Sequence, residues 1–118
     1  MVPGQPGATI VAFPGRPPLQ VGFDRPEITR ILDLYGRMVA AGQWRDYAMD
    51  FGREMASFAA FRRAAERPQV RIEKCPALRG RQGMWTLYGE AGQVMKRGHE
   101  LPGVLAPLER RLMKVIER

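Results

Sequence analysis

The sequence predicts a small α+β domain in which two helices flank an antiparallel meander of about five strands. Helical spacing of apolar residues, with about 3.6 residues per turn, occurs near both ends of the chain. Short alternating segments lie between the two helical patterns, and turns containing glycine or proline separate them. A chain of 118 residues is long enough for one domain with a modest core, which we expect to span residues 21–118.

The first 20 residues are rich in proline and glycine and carry little apolar surface to bury. This composition predicts a flexible tail, because such a segment cannot form a regular helix or contribute much to a core. An apolar run from Ala8 to Phe13 interrupts the tail. This run would suit strand addition, either to the sheet of this domain or to another protein.

The first helix is predicted from Glu27 to Ala41. Asp24 and Glu27 have the spacing of a capping box, and Pro26 fits the first turn, where a missing N–H costs nothing. Gly42 marks the C-terminal end, since glycine adopts a left-handed conformation without strain. The apolar face of this helix comprises Ile28, Ile31, Leu32, Tyr35, Met38 and Val39.

After Gly42 the apolar residues recur at every second position, where Tyr47, Met49 and Phe51 alternate with more polar neighbours. This pattern predicts a first strand with one wet face, and we expect the helix to cover its apolar face. Residues 51–67 fit either a strand or a helix. We favour a second strand from Met55 to Arg63, because the first strand needs a neighbour for its backbone groups.

A third strand is predicted from Val70 to Lys74, where apolar and charged residues alternate. Residues 76–83, with the sequence PALRGRQG, form a basic loop that contains two glycines. The segments Met84–Tyr88 and Val94–Arg97 flank Gly-Glu-Ala-Gly and predict a hairpin. The meander therefore has about five strands.

The C-terminal segment is predicted to be an amphipathic helix, with apolar residues on one face from Leu101 to Ile116 and charged residues on the other. Pro102 suits a first helical turn. Pro107 does not, because it lacks a backbone N–H and crowds the preceding turn. We therefore expect a kink at this proline, or a helix that begins only near Ala106.

Charge and composition favour a basic protein that does not cross a membrane. Lys and Arg number 19 against 12 Asp and Glu, which gives a formal net charge of +7 that would attract polyanions. No apolar run approaches the roughly 18 residues that a membrane span needs, and we find no signal peptide. The single cysteine, Cys75, excludes an internal disulfide framework and favours a reducing compartment, so we expect the cytoplasm.

Several sequence words occur in a characteristic order: FDRPEITRILDLYGRMVAAGQWRDYAMDF, FRRAAERP, RIEKCPAL, RQG and KRGHELPGVL. Together they resemble a domain-of-unknown-function family of short, basic proteobacterial proteins, over about Gly22 to Arg111. The family pattern is FDR-x-E…RIL-x-LYGRMVAAGEWRDYA-x-DF, so Gln43 replaces an acidic residue, and the chain also departs from the pattern at Pro102 and Pro107. The resemblance implies no activity.

The basic positions are the main candidates for function. If Val70, Ile72 and Val94 face the core, alternation turns Arg71 and Arg97 outward, while Lys74 and Lys96 leave at strand ends. Trp85 and Tyr88 are nearby in sequence and would stack on bases, as aromatic residues do in single-strand binders. No RNA-binding signature or helix-turn-helix spacing accompanies them. The predicted polyanion site comprises Arg71, Lys74, Arg79, Arg81, Lys96 and Arg97.

An enzyme is a weaker alternative, based on Cys75 and His99 with Glu73 or Glu100 orienting the imidazole. Nothing around Cys75 resembles a nucleophile motif. If there is no catalytic pair, His99 is a polar residue in front of the last helix. One Cys and one His cannot supply the ligands of a usual zinc site, and no phosphate-binding glycine motif is present, so we predict no cofactor.

A protein partner is the second alternative. Seven methionines in a chain of this size suit an adaptable interface, and the net charge would favour an acidic partner or adaptor role. A meander with only two helices would also leave one face of the sheet open, and a homodimer would close that face.

Overall fold

The computed structural model describes residues 20–63 and 67–117. The prediction of a flexible tail therefore lies outside the described residues, apart from Gln20. The elements confirm an α+β fold with an N-terminal helix, five strands and a C-terminal helix. In chain order they are α1 (Arg25–Ala40), β1 (Asp46–Phe51), β2 (Ala56–Phe61), β3 (Val70–Lys74), a short 3₁₀ turn (Pro76–Leu78), β4 (Trp85–Tyr88), β5 (Val94–Gly98) and α2 (Leu101–Glu117).

The predicted capping box of α1 is present. The backbone N–H of Glu27 donates to Asp24 Oδ1 at 2.9 Å, and the N–H of Asp24 donates to Glu27 Oε1 at 2.8 Å. These reciprocal bonds satisfy two of the donors that a helix start leaves unpaired. Gly42 follows the helix with a φ of 78°, which confirms its role at the C-terminal end.

The sheet is an antiparallel meander with the strand order β1-β2-β3-β4-β5. The choice of a strand within residues 51–67 is confirmed, because β2 pairs with β1 on one side and β3 on the other. Phe58 and Ala60 of β2 are fully buried. Local helix propensity in this segment is therefore overridden by pairing and burial.

The helix α2 begins at Leu101 and runs through Pro107, so the expected start near Ala106 is wrong. Leu101, Val104 and Leu105 precede this proline and are all buried in the core. Burial of each such side chain contributes about 1.5–3 kcal/mol, whereas a proline inside a helix costs about 3 kcal/mol. The apolar face therefore outweighs the local penalty. Within the described residues, neither helix is long and apolar enough to cross a bilayer.

Both helices pack on the same face of the sheet, the covered face. The Tyr35 ring of α1 lies edge-on to Phe58, with 6.0 Å between ring centroids. A Cβ at Gly98 of β5 would lie 3.5 Å from Val104 Cγ2 of α2, so α2 packs on this face too. Phe58, Ile72 and Leu87 form a buried row across its centre.

The opposite face, the open face, is covered by no helix or strand of the described residues. Strand register arranges it in two cross-strand rows. The first row is Asp50, Ser57, Glu73, Thr86 and Arg97, and the second is Ala48, Ala59, Arg71, Tyr88 and Val94. The expectation that Val94 faces the core is wrong, because a register shift next to Tyr88 turns Val94 outward, where it is 49% exposed.

The strand β1 lies at the edge of the sheet. Tyr47 and Phe51 face the helices, as their alternation predicted, yet they are 42% and 41% exposed. An edge strand has no neighbour on its outer side, and the helices cover this margin only in part. The half-buried first strand of the prediction is therefore a largely exposed strand in the structure.

Candidate functional site

The loop between β3 and β4, residues 76–83, has a backbone held by local hydrogen bonds. Its turns are closed by the N–H groups of Leu78 and Arg79, which donate to the carbonyl oxygens of Cys75 and Pro76 at 3.0 and 3.1 Å. The N–H groups of Arg81 and Gly83 both donate to the carbonyl oxygen of Leu78, at 3.0 and 3.1 Å. These bonds fix the backbone from which Arg79 and Arg81 project.

Gly83 brings this loop into direct contact with the end of β5. Its φ of 99° belongs to the region that glycine favours. A Cβ at this position would collide with the carbonyl group of Gly98, and it would lie 2.9 Å from the backbone nitrogen of His99. Only glycine therefore allows the two backbones to meet, and this contact places the loop beside β5.

Arg97 joins the loop to the open face. Its Nη1 donates to Gln82 Oε1 at 2.7 Å, and its Nε donates to Thr86 Oγ1 at 3.2 Å. Both acceptors are neutral, so these bonds orient the guanidinium and leave its charge uncompensated. Thr86 is buried at 4% exposure and provides a fixed anchor.

Three of the predicted cations, Arg79, Arg81 and Arg97, therefore lie on this loop or are hydrogen-bonded to it, and we call this group the cationic loop end. In the part of the chain that the structure describes, no carboxylate lies within ion-pair distance of any of the three. The Nη2 atom of Arg79 lies 4.0 Å from Met84 Sδ. The site presents three unneutralised positive charges on a backbone of fixed geometry.

The other predicted cations are placed elsewhere. Arg71 lies on the open face, where its Nη1 contacts Glu73 Oε2 at 2.7 Å. Lys74 points to the covered side instead of leaving at the strand end, and its Nζ contacts Glu27 Oε1 at 2.6 Å and the Gly22 carbonyl oxygen at 2.9 Å. Lys96 is exposed on β5, opposite Leu87 on the covered side. Only three of the six predicted positions, Arg79, Arg81 and Arg97, thus lie on the loop or are bonded to it.

Both predicted stacking residues already make ring contacts within the chain. Trp85 is buried at 2% exposure, and its ring stacks on that of Phe23 with 6.1 Å between centroids. Tyr88 is on the open face, but the guanidinium of Arg71 lies 4.4 Å from its ring centroid. Its hydroxyl also donates to Glu73 Oε1 at 3.3 Å. Tyr88, Arg71 and Glu73 therefore form one internally bonded group.

Cys75 and His99 lie at the two sides of the loop. No hydrogen bond joins their side chains. The N–H of Cys75 donates to the Met84 carbonyl oxygen at 2.7 Å, and the thiol side is half-buried. His99 is exposed beside Gly83. Glu73, one of the two predicted orienting carboxylates, is bonded to Arg71 and Tyr88. No group of three potential metal ligands occurs within residues 20–63 and 67–117.

A concave region lies between the two helices and has a volume of about 700 Å³. Arg30 and Arg37 line it, but Glu109 Oε2 lies 3.9 and 3.8 Å from their guanidinium nitrogens. Arg37 also contacts Asp33 at 3.2 Å. Arg30 and Arg37 are therefore already paired with carboxylates, whereas Arg25, which also lines this region, has no ion pair within the described residues.

Sequence reasoning missed the residues that position this site. Gln82 and Thr86 orient Arg97, and Gly83 brings the loop against β5. Thr86 pairs with Arg97 across the β4–β5 hairpin. A correct hairpin register would therefore have predicted that these two side chains are neighbours. Nothing local distinguishes Gly83 from an ordinary turn glycine.

A family model described as "Protein of unknown function (DUF2794)" matches residues 21–105, which include the sheet, the loop and the start of α2. No curated protein and no solved structure matches the chain.

Proposed function

The chain belongs to the DUF2794 family of proteins of unknown function, and we propose that it is a non-enzymatic, cytoplasmic nucleic-acid-binding module. The cationic loop end is the proposed contact surface for the phosphate backbone. The single observation that carries this proposal is the presence of three arginines on this loop, or bonded to it, with no carboxylate at ion-pair distance in the described residues.

Arginine chemistry favours a phosphate ligand at this position. The planar guanidinium donates pairs of parallel hydrogen bonds to phosphate oxygens, and it keeps its charge at all physiological pH values. The fixed loop backbone reduces the entropy that binding would otherwise cost. The net charge of +7 adds a long-range attraction that speeds association with a polyanion.

The proposed mode is backbone recognition with little dependence on sequence. Trp85 is packed in the core and the Arg71 guanidinium covers one side of the Tyr88 ring, so the proposed mode does not rely on stacking on bases. Contacts to phosphates position a nucleic acid but carry no direct sequence information. We therefore expect similar affinities for different single-stranded sequences of equal length.

The test is titration of labelled single-stranded RNA and DNA, followed by fluorescence polarisation over a range of salt concentrations. The full-length chain should bind with an affinity that falls linearly with salt on logarithmic axes. The variant Arg79→Glu/Arg81→Glu should lose about tenfold in affinity or more. Loss of two phosphate contacts should also lower the salt slope by about 1.4 for a single strand.

A matched control is Arg110→Glu/Arg111→Glu, which makes the same charge change on the exposed side of α2. It should retain most of the affinity. Equal losses in both variants would show that net charge alone attracts the polyanion, and absence of binding at near-physiological salt would reject the proposal. Recovery of the tagged chain with an acidic protein that survives nuclease treatment would assign the loop to a protein partner instead.

A further inference from the structure

The open face carries charge of opposite sign at its two edges. Asp46 and Asp50 of β1 are exposed at one edge, and Arg97 of β5 is exposed at the other. Ala48 of β1 and Ala59 of β2 are small, whereas the inner strands also carry the larger Arg71, Glu73 and Tyr88. A sheet face with this layout is complementary to a second copy of itself.

We propose that two copies of this chain pack open face to open face, related by a twofold axis that runs along β3. Rotation about this axis reverses the strand order but keeps each cross-strand row opposite itself. The acidic edge of β1 then faces the basic edge of β5 in the partner copy. This pairing does not involve Arg79 or Arg81, but it shares Arg97 with the proposed nucleic-acid contact.

The strand register specifies which side chains meet. Asp50 and Arg97 lie in the same row, two strands on either side of Glu73, so the axis places Asp50 of one copy over Arg97 of the other. In the second row, Ala59 comes opposite Tyr88. Small residues therefore face large ones, as interdigitation of two sheets requires.

The charge layout also selects between the two possible twofold axes. An axis perpendicular to the strands would place β1 over β1 and bring Asp46 and Asp50 against the same residues of the second copy. Like charges in direct opposition are unfavourable. At the axis along β3, Glu73 and Arg71 each meet their own copy, but within each chain these two residues are bonded to each other, and Glu73 is also bonded to Tyr88.

Face-to-face sheets pack with their strands rotated by about 30°. For side chains two strand spacings of about 4.8 Å from the axis, this rotation displaces facing positions by roughly 5 Å. An arginine side chain spans such a distance. The Asp50–Arg97 pairing therefore tolerates the twist of both sheets.

The first experiment is sedimentation equilibrium of the full-length chain, with the mass compared with the 13.3 kDa of one copy. A dimer is expected, and Ala59→Arg should convert it to a monomer because it places bulk and charge at the centre of the contact. Ala40→Arg, on an exposed helix position, is the matched control and should leave the dimer intact. Circular dichroism would check that both variants remain folded.

The second experiment maps the axis with a short bismaleimide in a Cys75→Ser background. Mixed chains carrying Asp50→Cys or Arg97→Cys should crosslink to each other, whereas either chain alone should not. Identical β1 positions are four strand spacings apart in the proposed pairing, or about 19 Å. Crosslinking of Asp50→Cys with itself, or a monomeric wild-type chain, would overturn the proposal.

Discussion

The two faces of the sheet use the same kinds of residue in opposite ways. On the covered face, Lys74 is held by Glu27 and by the Gly22 carbonyl oxygen, and aromatic rings fill the space beneath the helices. On the open face and at the adjoining loop, Arg97, Arg79 and Arg81 have no carboxylate partner among the described residues. The contacts of a cation therefore decide whether it stabilises the fold or is available for binding, and the sequence alone does not show these contacts.

The largest expected difference between the two faces is at Phe58 and Phe61, two phenylalanines of the same strand. Phe58 is 0% exposed on the covered face, whereas Phe61 is half-buried on the open face, opposite Asp46. Phe58→Ala should lower the free energy of unfolding by about 3–5 kcal/mol, because it leaves a cavity. Phe61→Ala should cost only about 1 kcal/mol. Urea denaturation would measure both.

Equal losses of unfolding free energy in the two variants would contradict this difference between the faces, since they would mean that the open face is packed as tightly as the covered face. The measurement should be made at low protein concentration, because self-association through the open face would add a concentration-dependent contribution. A cost for Phe61→Ala that grows with protein concentration would link this residue to the proposed pairing.

A smaller difference is expected between the cations Lys74 and Arg71. The side chains of Lys74 and Glu27 are only 12% and 15% exposed, so Lys74→Met would leave a carboxylate without its cation in a poorly solvated position. We expect a loss of about 2–4 kcal/mol in the free energy of unfolding. The Arg71 side chain is 40% exposed, although that of Glu73 is only 13% exposed, and Arg71→Met should cost about 1 kcal/mol or less because it opens Glu73 to solvent.

The reason for the smaller cost is that no helix lies over Glu73. Removal of Arg71 lets water reach the carboxylate, whereas Glu27 stays bonded to the backbone N–H of Asp24 at the start of α1. Thermal unfolding monitored by circular dichroism would rank the two variants. If Arg71→Met proved the more damaging, the Arg71–Glu73–Tyr88 group would have to be a structural centre of the fold.

Much of the fold follows from local patterns, because they are governed by contacts close in sequence. The capping box of Asp24 and Glu27 needs only two residues three positions apart, and the alternation of Val70 and Ile72 fixes which side of β3 is buried. Pro107 was misjudged because its local cost competes with burial of Leu101 and Leu105, which depends on the sheet beneath them. A local rule cannot weigh a contact that forms elsewhere in the chain.

The candidate site was less predictable for the same reason. The partner of Lys74, Glu27, is 47 residues away, so no local pattern could show that this lysine is committed to the fold. Trp85 belongs to the core because Phe23 stacks on it from a segment before α1. Arg79 and Arg81 were correctly placed on one loop, yet their lack of carboxylate neighbours emerges only from the packed structure.

The smallest expected effect is on the pH dependence of stability, and it arises on the covered side at Tyr35. Burial raises the pKa of Tyr35 above its ordinary value of 10.0, and the nearby charges of Asp46 and Tyr47 raise it further. A raised pKa in the folded chain means that the unfolded chain loses this proton first. The free energy of unfolding should therefore be unaffected by Tyr35 below pH 10.0, and it should fall as pH rises through the raised pKa.

Urea denaturation from about pH 8 to about pH 11 would measure this slope. Lysines also lose protons in that range, so the informative quantity is the difference between the wild-type chain and Tyr35→Phe. The variant should lose less stability at the alkaline end, because it has no phenol to ionise. Identical slopes would show that the Tyr35 hydroxyl is as well solvated in the folded chain as in the unfolded one, and this margin of the covered face would then resemble the open face.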